Sequence, residues 1–409
     1  MMRIPMSAPD LTEAEISAVV RVLHGGHLSL GPRVREFEER FAEYVGAGHA
    51  VAVSSGTAAL HLTLIAAGIG AGDLVITSPF SFVASANCML YEGAVPVFVD
   101  VDRATGNIDA TLVRAAVEDL MAGGERRRRW LPPLLRDAAP GNSRLRAILP
   151  VHAFGQPADM QPIAEISQTH GLRVIEDACE AIGAEYNSRR AGTLGDASCF
   201  AFYPNKQMTT AEGGMIVTDD ADAAMICSSL RNQGRDVFDA WLTHSRLGYN
   251  YRLNDLACAL GITQLTRLDE MLAKRARVAE WYRQRLHGID RIRLPLVVDT
   301  TSRMSWFVYV VRFDSRENRA VTITMLADRG IPSRPYFTPI HLQPFYVEKY
   351  GYRRGDFPVT EALGDTSLAL PFSSVMTEDQ VDYVCRELVT VLLHELPRRS
   401  EHPPKQTPS

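Results

Sequence analysis

Between Val51 and Asp220 the chain alternates short β-rich runs with amphipathic helical segments, and no other feature restricts its fold as strongly. The strand candidates are VAVSS, DLVITS, VPVFVDVD, RAILPVH, LRVIEDAC, ASCFAFY and GGMIVTDD. Segments such as TAALHLTLIAAGI, SFVASANCMLYEG and ADMQPIAEISQTHG lie between most of them. Strands that are apolar on both faces and joined by helices form a mainly parallel sheet covered on each side, an α/β architecture. Ligands of such sheets bind beyond the carboxyl ends of the strands, which is where chemistry is to be sought. ASCFAFY and GGMIVTDD are separated only by PNKQMTTAE, too short for a crossover helix, so these two are expected to pair antiparallel.

From Tyr251 the pattern changes to a long helical run ending near Leu286. It is expected to lead from a large α/β domain, residues 1–250, into a smaller C-terminal α+β domain, residues 251–397. The second domain contains the strand candidate WFVYVVRF, a helix near Thr322 to Arg329 and a terminal helix from about Thr377. Residues 398–409 read as a disordered tail. The segment from Gly123 to Arg146 is rich in Arg, Pro and Gly and interrupts the alternation. Its four arginines, Arg126 to Arg129, suit a solvated loop, with anion binding as the alternative.

Charge and cysteine usage narrow the partners. Forty-three Lys and Arg against 48 Asp and Glu leave a formal charge of −5, so no basic field draws the chain to nucleic acid or an anionic membrane. The six cysteines show neither Cys-x-x-Cys nor Cys/His ligand spacing, which argues against a disulfide framework or a metal site and for a reducing, cytoplasmic compartment. The N-terminus lacks a signal-peptide pattern, and no apolar run reaches the roughly 18 residues of a membrane span.

Four signals, each following a different strand candidate, suit different parts of one cofactor. Lys206 lies in the connection FAFYPNKQMTTAEGG. By itself it reads as a solvated loop lysine; with partners it is a lysine placed to react with a carbonyl cofactor. Asp177 follows the apolar run RVIE. Its carboxylate either caps the next segment or keeps the ring nitrogen of pyridoxal phosphate protonated. In SSGTAALHL a strand runs into a helix near Thr57, where Gly56 permits close backbone approach and the helix start attracts a phosphate. Ser55 and Thr57 add hydroxyl donors, or simply cap the helix. Phe82, in SPFSFVASAN, either stacks on a cofactor ring or belongs to the core.

With these residues in view, the chain resembles the DegT/DnrJ/StrS sugar aminotransferases. The resemblance runs from GPRVREFEERFAEYVGAGHAVAVSSGTAAL through VHAFGQPADM, IEDACEAIGAEY, FYPNKQMTTAEGGMIVT and LGYNYRLNDLACALGITQL to RPYFTPIHLQPFY. It implies the aspartate-aminotransferase architecture, fold type I of the transferases that use pyridoxal phosphate, with a mainly parallel seven-stranded sheet and a smaller C-terminal domain. It also implies that Lys206 binds the cofactor covalently, Asp177 pairs with the pyridinium, Gly56 and Thr57 bind the phosphate, and Phe82 covers the ring. Members are typically homodimers with shared active sites, and by that likeness Asn250 and Arg252 of GYNYR reach towards the neighbouring site. Tyr336 and His341 of YFTPIHLQP resemble residues near a nucleotide-sugar site, although a His in a Pro-bounded loop is as often structural. His152, in VHAFGQ, reads as a packing or hydrogen-bonding residue.

Two positions depart from the family pattern. Where members commonly place Ser, this chain has Ala201, five residues before the lysine, so the phosphate loses one hydroxyl donor. Where members often carry Gln near the cofactor's phenolic oxygen, this chain has Glu180. An ionised Glu would repel a phenolate, so Glu180 must be protonated, offset by a cation, or turned elsewhere.

The expected activity is transamination from an amino-acid donor such as L-glutamate to a keto group of a nucleotide-activated sugar. A keto-cyclitol of the inosose type is the alternative acceptor, and a regulatory protein that binds pyridoxal phosphate is the alternative of a different class. An intact Lys206 with Asp177, and the lack of a basic stripe, speak for the enzyme.

Overall fold

In the computed structural model, which describes residues 4–137, 143–236 and 243–395, the seven strand candidates form one sheet. They are β1 (His49–Val53), β2 (Leu74–Thr77), β3 (Val95–Phe98), β4 (Leu145–Leu149), β5 (Arg173–Asp177), β6 (Ala197–Ala201) and β7 (Gly214–Thr218). Their spatial order is β1-β7-β6-β5-β4-β2-β3. β7 is antiparallel to both its neighbours, whereas β6, β5, β4, β2 and β3 pair parallel. The antiparallel β6–β7 pair follows from the short connection between them, as expected.

Burial on both faces explains the composition of the strands: LVIT of β2 and GMIVT of β7 are buried throughout. Three helices that flank these strands start at side-chain caps. Ser55 caps α1 (Gly56–Ala66), Asp109 caps α2 (Ala110–Ala122) and Asp220 caps α3 (Ala221–Arg231), each accepting from a first-turn amide. One face of the sheet packs against Phe37 and Phe41 and the helix Asp255–Thr266; the other buries most of α1.

The run from Tyr251 to Leu286 is not one helix. Asn254 caps a first helix, α4 (Asp255–Thr266), and the chain breaks at Arg267 before α5 (Leu268–Leu286). No Gly or Pro marks the break. Arg267 donates to Asp10 at 2.9 Å and Glu15 at 2.8 Å, so tertiary ion pairs hold the kink. Packing divides the residues of this run between two hydrophobic cores, and the passage lies inside α5. Leu253, Ala257, Leu268 and Met271 belong to the core of the large layer, whereas Val278, Tyr282 and Leu286 belong to the C-terminal core.

That second core covers an antiparallel sheet of order β8-β9-β11-β10: β8 (Ile292–Arg293), β9 (Tyr309–Phe313), β10 (Arg334–Pro335) and β11 (Ser367–Leu370). The strand expected from Trp306 thus begins at Tyr309. The helix expected near Thr322 is α6 (Arg316–Asp328), and the terminal helix is α7 (Glu378–Thr390), opened by a capping box at Thr377. N-terminal Ile4 packs in this core too.

The Arg-rich segment is more structured than a loop. Gly124–Arg128 is a helical turn and Pro133–Leu135 a 3₁₀ turn, while 138–142 lie outside the described residues. Arg128 pairs with Glu125 and Asp137, Arg129 with Asp119, and Arg127 donates to the Ser143 carbonyl. The proposed disordered tail, 398–409, also lies outside the described residues.

Gly214 shows how closely the sheet bears on the site. It stands between Val53 of β1 and Ala201 of β6, and a Cβ there would lie 2.5 Å from the Ser55 carbonyl group and 2.8 Å from the Gly56 nitrogen. Gly214→Ala must therefore displace the start of α1. We expect a loss of about 1–3 kcal/mol in urea unfolding together with weaker cofactor binding; unchanged values for both would show that this backbone contact is not needed.

Candidate active site

Parallel strands bring their carboxyl ends to one edge of the sheet, and a cavity of about 600 Å³ opens there. Ser55, Gly56 and Thr57 line it after β1, Phe82 after β2, Asp177 at the end of β5, and Lys206 after β6. The four sequence signals therefore meet in space.

Lys206 sits in a tightly bonded connection. Its amide donates to the Tyr203 carbonyl, and the Thr209 hydroxyl and Thr210 amide both bond the Phe202 carbonyl. Gln207 fastens the next position by donating to the carbonyls of Glu180 at 2.6 Å and Ser305 at 2.8 Å. The Lys206 ammonium lies 3.9 Å from the centroid of the Phe307 ring and 3.6 Å from Glu180 Oε1. A cation over an aromatic face beside a carboxylate is held by both, which limits where the amine can point.

Asp177 accepts from the Ser85 hydroxyl at 2.6 Å and from the Cys179 amide at 3.2 Å, and Ser81 is linked to Ser85 at 2.7 Å. It thus caps the turn after β5 and also presents its carboxylate to the cavity. Its neighbour Glu176 points to the opposite face of the strand, where it accepts from the amides of Gly192, Leu194 and Gly195. His152 is buried against Glu176, with its Nδ1 accepting from the Ala158 amide. That agrees with a structural role for His152.

The phosphate-type cradle is the first turn of α1. The Ser55 hydroxyl takes the Ala58 amide at 3.1 Å, so Gly56 and Thr57 carry the remaining first-turn donors beside the cavity. A Cβ on Gly56 would lie 2.7 Å from the Ala201 methyl and 2.8 Å from Cys179 Sγ, so Gly is required there for close packing. Phe82 is 65% exposed at the cavity mouth, which excludes the core alternative and leaves its ring free to cover a planar group.

Glu180 is offset by a cation. It is buried, Lys206 stands opposite it, and its Oε2 accepts from the Phe154 amide at 2.9 Å. Burial nevertheless pushes its carboxyl above the ordinary carboxylate range, against the pull of Lys206 and that amide. Tyr336 lines the cavity, and its phenol is likewise pushed up by burial, with Glu180 adding to the shift.

His341 does not join them. It is fully buried in the 3₁₀ turn Ile340–Leu342, with Nε2 3.0 Å from Glu361 and its ring edge-on to Phe357, and burial lowers its pKa. The structure thus places His341 in a turn folded inward, off the lining of this chain's cavity. Asn250 and Arg252 also lie off this chain's cavity. In GYNYR the side chains alternate. Tyr249 donates to Glu92, and Tyr251 contacts His61, while Asn250 is exposed and Arg252 donates to Asn232.

Several lining residues had not been singled out: Ser81, Ser85, Phe307, Tyr203 and Asn205. Ser81 and Ser85, four apart in SFVAS, carried a legible helical spacing. Phe307 carried none, since only folding brings it under Lys206.

This cavity suits pyridoxal phosphate: a lysine, a carboxylate at a strand end, free helix-start amides and an exposed aromatic ring converge on it. The chain matches the DegT/DnrJ/EryC1/StrS aminotransferase family over residues 9–389. It is 39% identical over 395 residues to the GDP-perosamine synthase of Caulobacter vibrioides, covering 96% of this chain and 99% of the relative. It is 38% identical over 394 residues to the spore coat polysaccharide biosynthesis protein SpsC of Bacillus subtilis, covering 93% and 95%. Among solved structures, S. venezuelae DesV superposes with a TM-score of 0.83 at 32% identity, covering 96% of this chain and 99% of that one.

The electrostatics of Glu180 yield a pH prediction. A carboxyl whose pKa is raised by folding contributes stability below its unfolded value near 4.5 and loses it as pH rises through the raised value. Glu180→Gln should therefore gain on the wild type in denaturant unfolding as pH rises from 4.5 to 8. A difference that stays flat or falls over that range would show that Lys206 fully compensates the buried charge.

Proposed function

The chain belongs to the DegT/DnrJ/EryC1/StrS aminotransferase family, and on that premise we propose that it moves an amino group from an amino-acid donor such as L-glutamate to a keto group of a nucleotide-activated sugar. The observation that carries this reading is the convergence of Lys206, Asp177, the first turn of α1 and Phe82 on one cavity. The names of the relatives, a GDP-perosamine synthase and a polysaccharide biosynthesis protein, support a sugar acceptor. The protein is an aminotransferase that depends on pyridoxal phosphate, which supplies the electron sink for the pair left when a Cα proton departs.

The chain's own residues do the rest. Lys206 would hold the cofactor, and its free amine would accept the proton that leaves the donor's Cα; its position over Phe307 keeps the amine inside the cavity. Asp177, steadied by Ser85 and the Cys179 amide, keeps the ring nitrogen protonated. Gly56 and Thr57 bind the phosphate through their amides and the helix start. Phe82 would cover the ring, and Tyr336, which lines the same cavity, would meet the substrate. Glu180, in reach of Lys206, accepts a proton readily because burial favours its neutral form. No helix among the described residues is long and apolar enough to cross a membrane; the cysteine usage supports a cytoplasmic enzyme.

Asn250 is best understood through a second copy of the chain. Tyr249 and Tyr251 anchor the GYNYR segment to their own subunit, which turns Asn250 outwards. In a homodimer it would supply a phosphate donor to the neighbouring site, where Ala201 leaves one missing. Arg252, bonded to Asn232, holds the same segment in place.

Two experiments test this reading. Borohydride reduction of the purified holoenzyme should place a pyridoxyl group on Lys206, and incubation with L-glutamate and a panel of nucleotide keto-sugars and keto-cyclitols should aminate a nucleotide keto-sugar by mass spectrometry. A label on another lysine, or amination of cyclitols alone, would overturn the assignment. For the shared site, inactive Lys206→Ala and inactive Asn250→Ala parents are mixed, with subunit exchange checked by tagged chains. Activity should return, since one site of each mixed dimer keeps both residues. Confirmed exchange without recovery, or full activity of the Asn250 variant by itself, would rule out a role for the partner's copy of this segment.

A further inference from the structure

Among the described residues Arg275 is the largest fully buried side chain, and none of them places a carboxylate within ion-pair range of it. It projects from the middle of α5, where that helix passes from the core of the large layer to the C-terminal core. Its Nη1 donates to the carbonyls of Trp306 at 3.3 Å and Phe307 at 3.2 Å. Its Nη2 donates to the carbonyls of Asn205 at 3.4 Å and Lys206 at 2.9 Å. The guanidinium carbon lies 5.6 Å from the Phe372 ring centroid, and Nε has no hydrogen-bond partner among the described residues.

A buried cation without a direct ion pair is expensive, and an apolar side chain of similar volume would fill the same space at lower cost. Burial lowers the Arg275 pKa to about 10, against the opposing pull of the more distant Asp10 carboxylate. Its four acceptors come from two places. Two carbonyls belong to the turn that carries Lys206, and two belong to the segment that enters the C-terminal sheet and carries Phe307. A planar fork with donors on two nitrogens can bridge such segments, whereas an ammonium offers a single centre.

The geometry points to Arg275 as a positioning residue: it ties the main chain of the Lys206 turn to the main chain of Phe307 and so holds the Lys206 amine over the Phe307 ring. The inference rests on Lys206 being the cofactor lysine. Gln207 makes a second tie between the same segments, through Ser305, on the other side of the lysine. Together the two ties make the place of the amine depend on how the C-terminal domain sits against the sheet.

The test uses the full-length holoenzyme and its cofactor-stripped form, in wild type, Arg275→Met, Arg275→Lys and Tyr282→Phe. Tyr282 is a matched control: it lies on the same helix, is fully buried, and donates to the Pro371 carbonyl at 2.7 Å without lining the cavity. The readouts are thermal stability, the rate of pyridoxal phosphate uptake by stripped protein, the pH midpoint of the bound cofactor's visible band, and the site of borohydride labelling. Arg275→Met should take up cofactor about tenfold more slowly, the size of one lost hydrogen bond to a charged donor, and should shift the pH midpoint. Arg275→Lys should recover part of both, and Tyr282→Phe should lose stability while leaving both unchanged.

Labelling on Lys206 together with uptake and midpoint in Arg275→Met equal to those of Tyr282→Phe would overturn the proposal. If Arg275→Met does not fold, Arg275→Lys carries the comparison, and an unchanged midpoint in it overturns the proposal equally. Labelling of the wild type on another lysine would be a separate failure, that of the Lys206 assignment, and would take the proposal with it.

Discussion

The Lys206 amine has to enter a cavity while its charge is kept from escaping to water, and much of the surrounding structure follows from that requirement. The ring of Phe307 and the carboxyl of Glu180 flank the ammonium from two elements far apart in sequence. Neither contact would hold a flexible lysine stem if the backbone beneath it could drift. The turn is bonded internally at Phe202, Tyr203, Thr209 and Thr210, and externally through Gln207 and Arg275. A reactive amine is presented by a rigid main chain, an arrangement that lowers the entropy lost when the amine meets its target.

Strand alternation does comparable work on the acidic side. Glu176 and Asp177 are adjacent on β5, so their carboxylates emerge on opposite faces. Glu176 is satisfied by three backbone amides and His152, which locks the strand end in register with the 192–195 segment. Asp177 can then face the cavity with Ser85 and one amide as its partners among the described residues. One carboxylate anchors the strand end, and the other stays open to a ligand. The same period-two logic turns Tyr249 and Tyr251 inward and Asn250 outward.

The departures at Ala201 and Glu180 also acquire physical meaning. Ala201 lies where a Gly56 Cβ would collide with it, so the small side chain belongs to the close approach of α1 to the sheet. Glu180 has a cation within reach and an amide on its second oxygen, yet burial still favours its neutral form. The sequence posed that question as three alternatives; the answer depended on the distance to Lys206.

By itself the sequence determined the large layer. Seven strand candidates, the antiparallel pair forced by a short connection, and four residues after four strands were all legible, because period and connection length are local properties and parallel strands bring their ends together automatically. What it did not determine depends on contacts between distant segments. The break at Arg267 is made by Asp10 and Glu15, and the passage between cores lies inside α5. His341 turns inward to Glu361. Phe307 and Arg275 reach Lys206 only when the C-terminal segment folds back over the sheet. Local pattern can place a residue at the end of a strand, but which side chain from about a hundred residues away will stand opposite it is decided by packing, since burial of the whole chain selects the partner and no local signal encodes it.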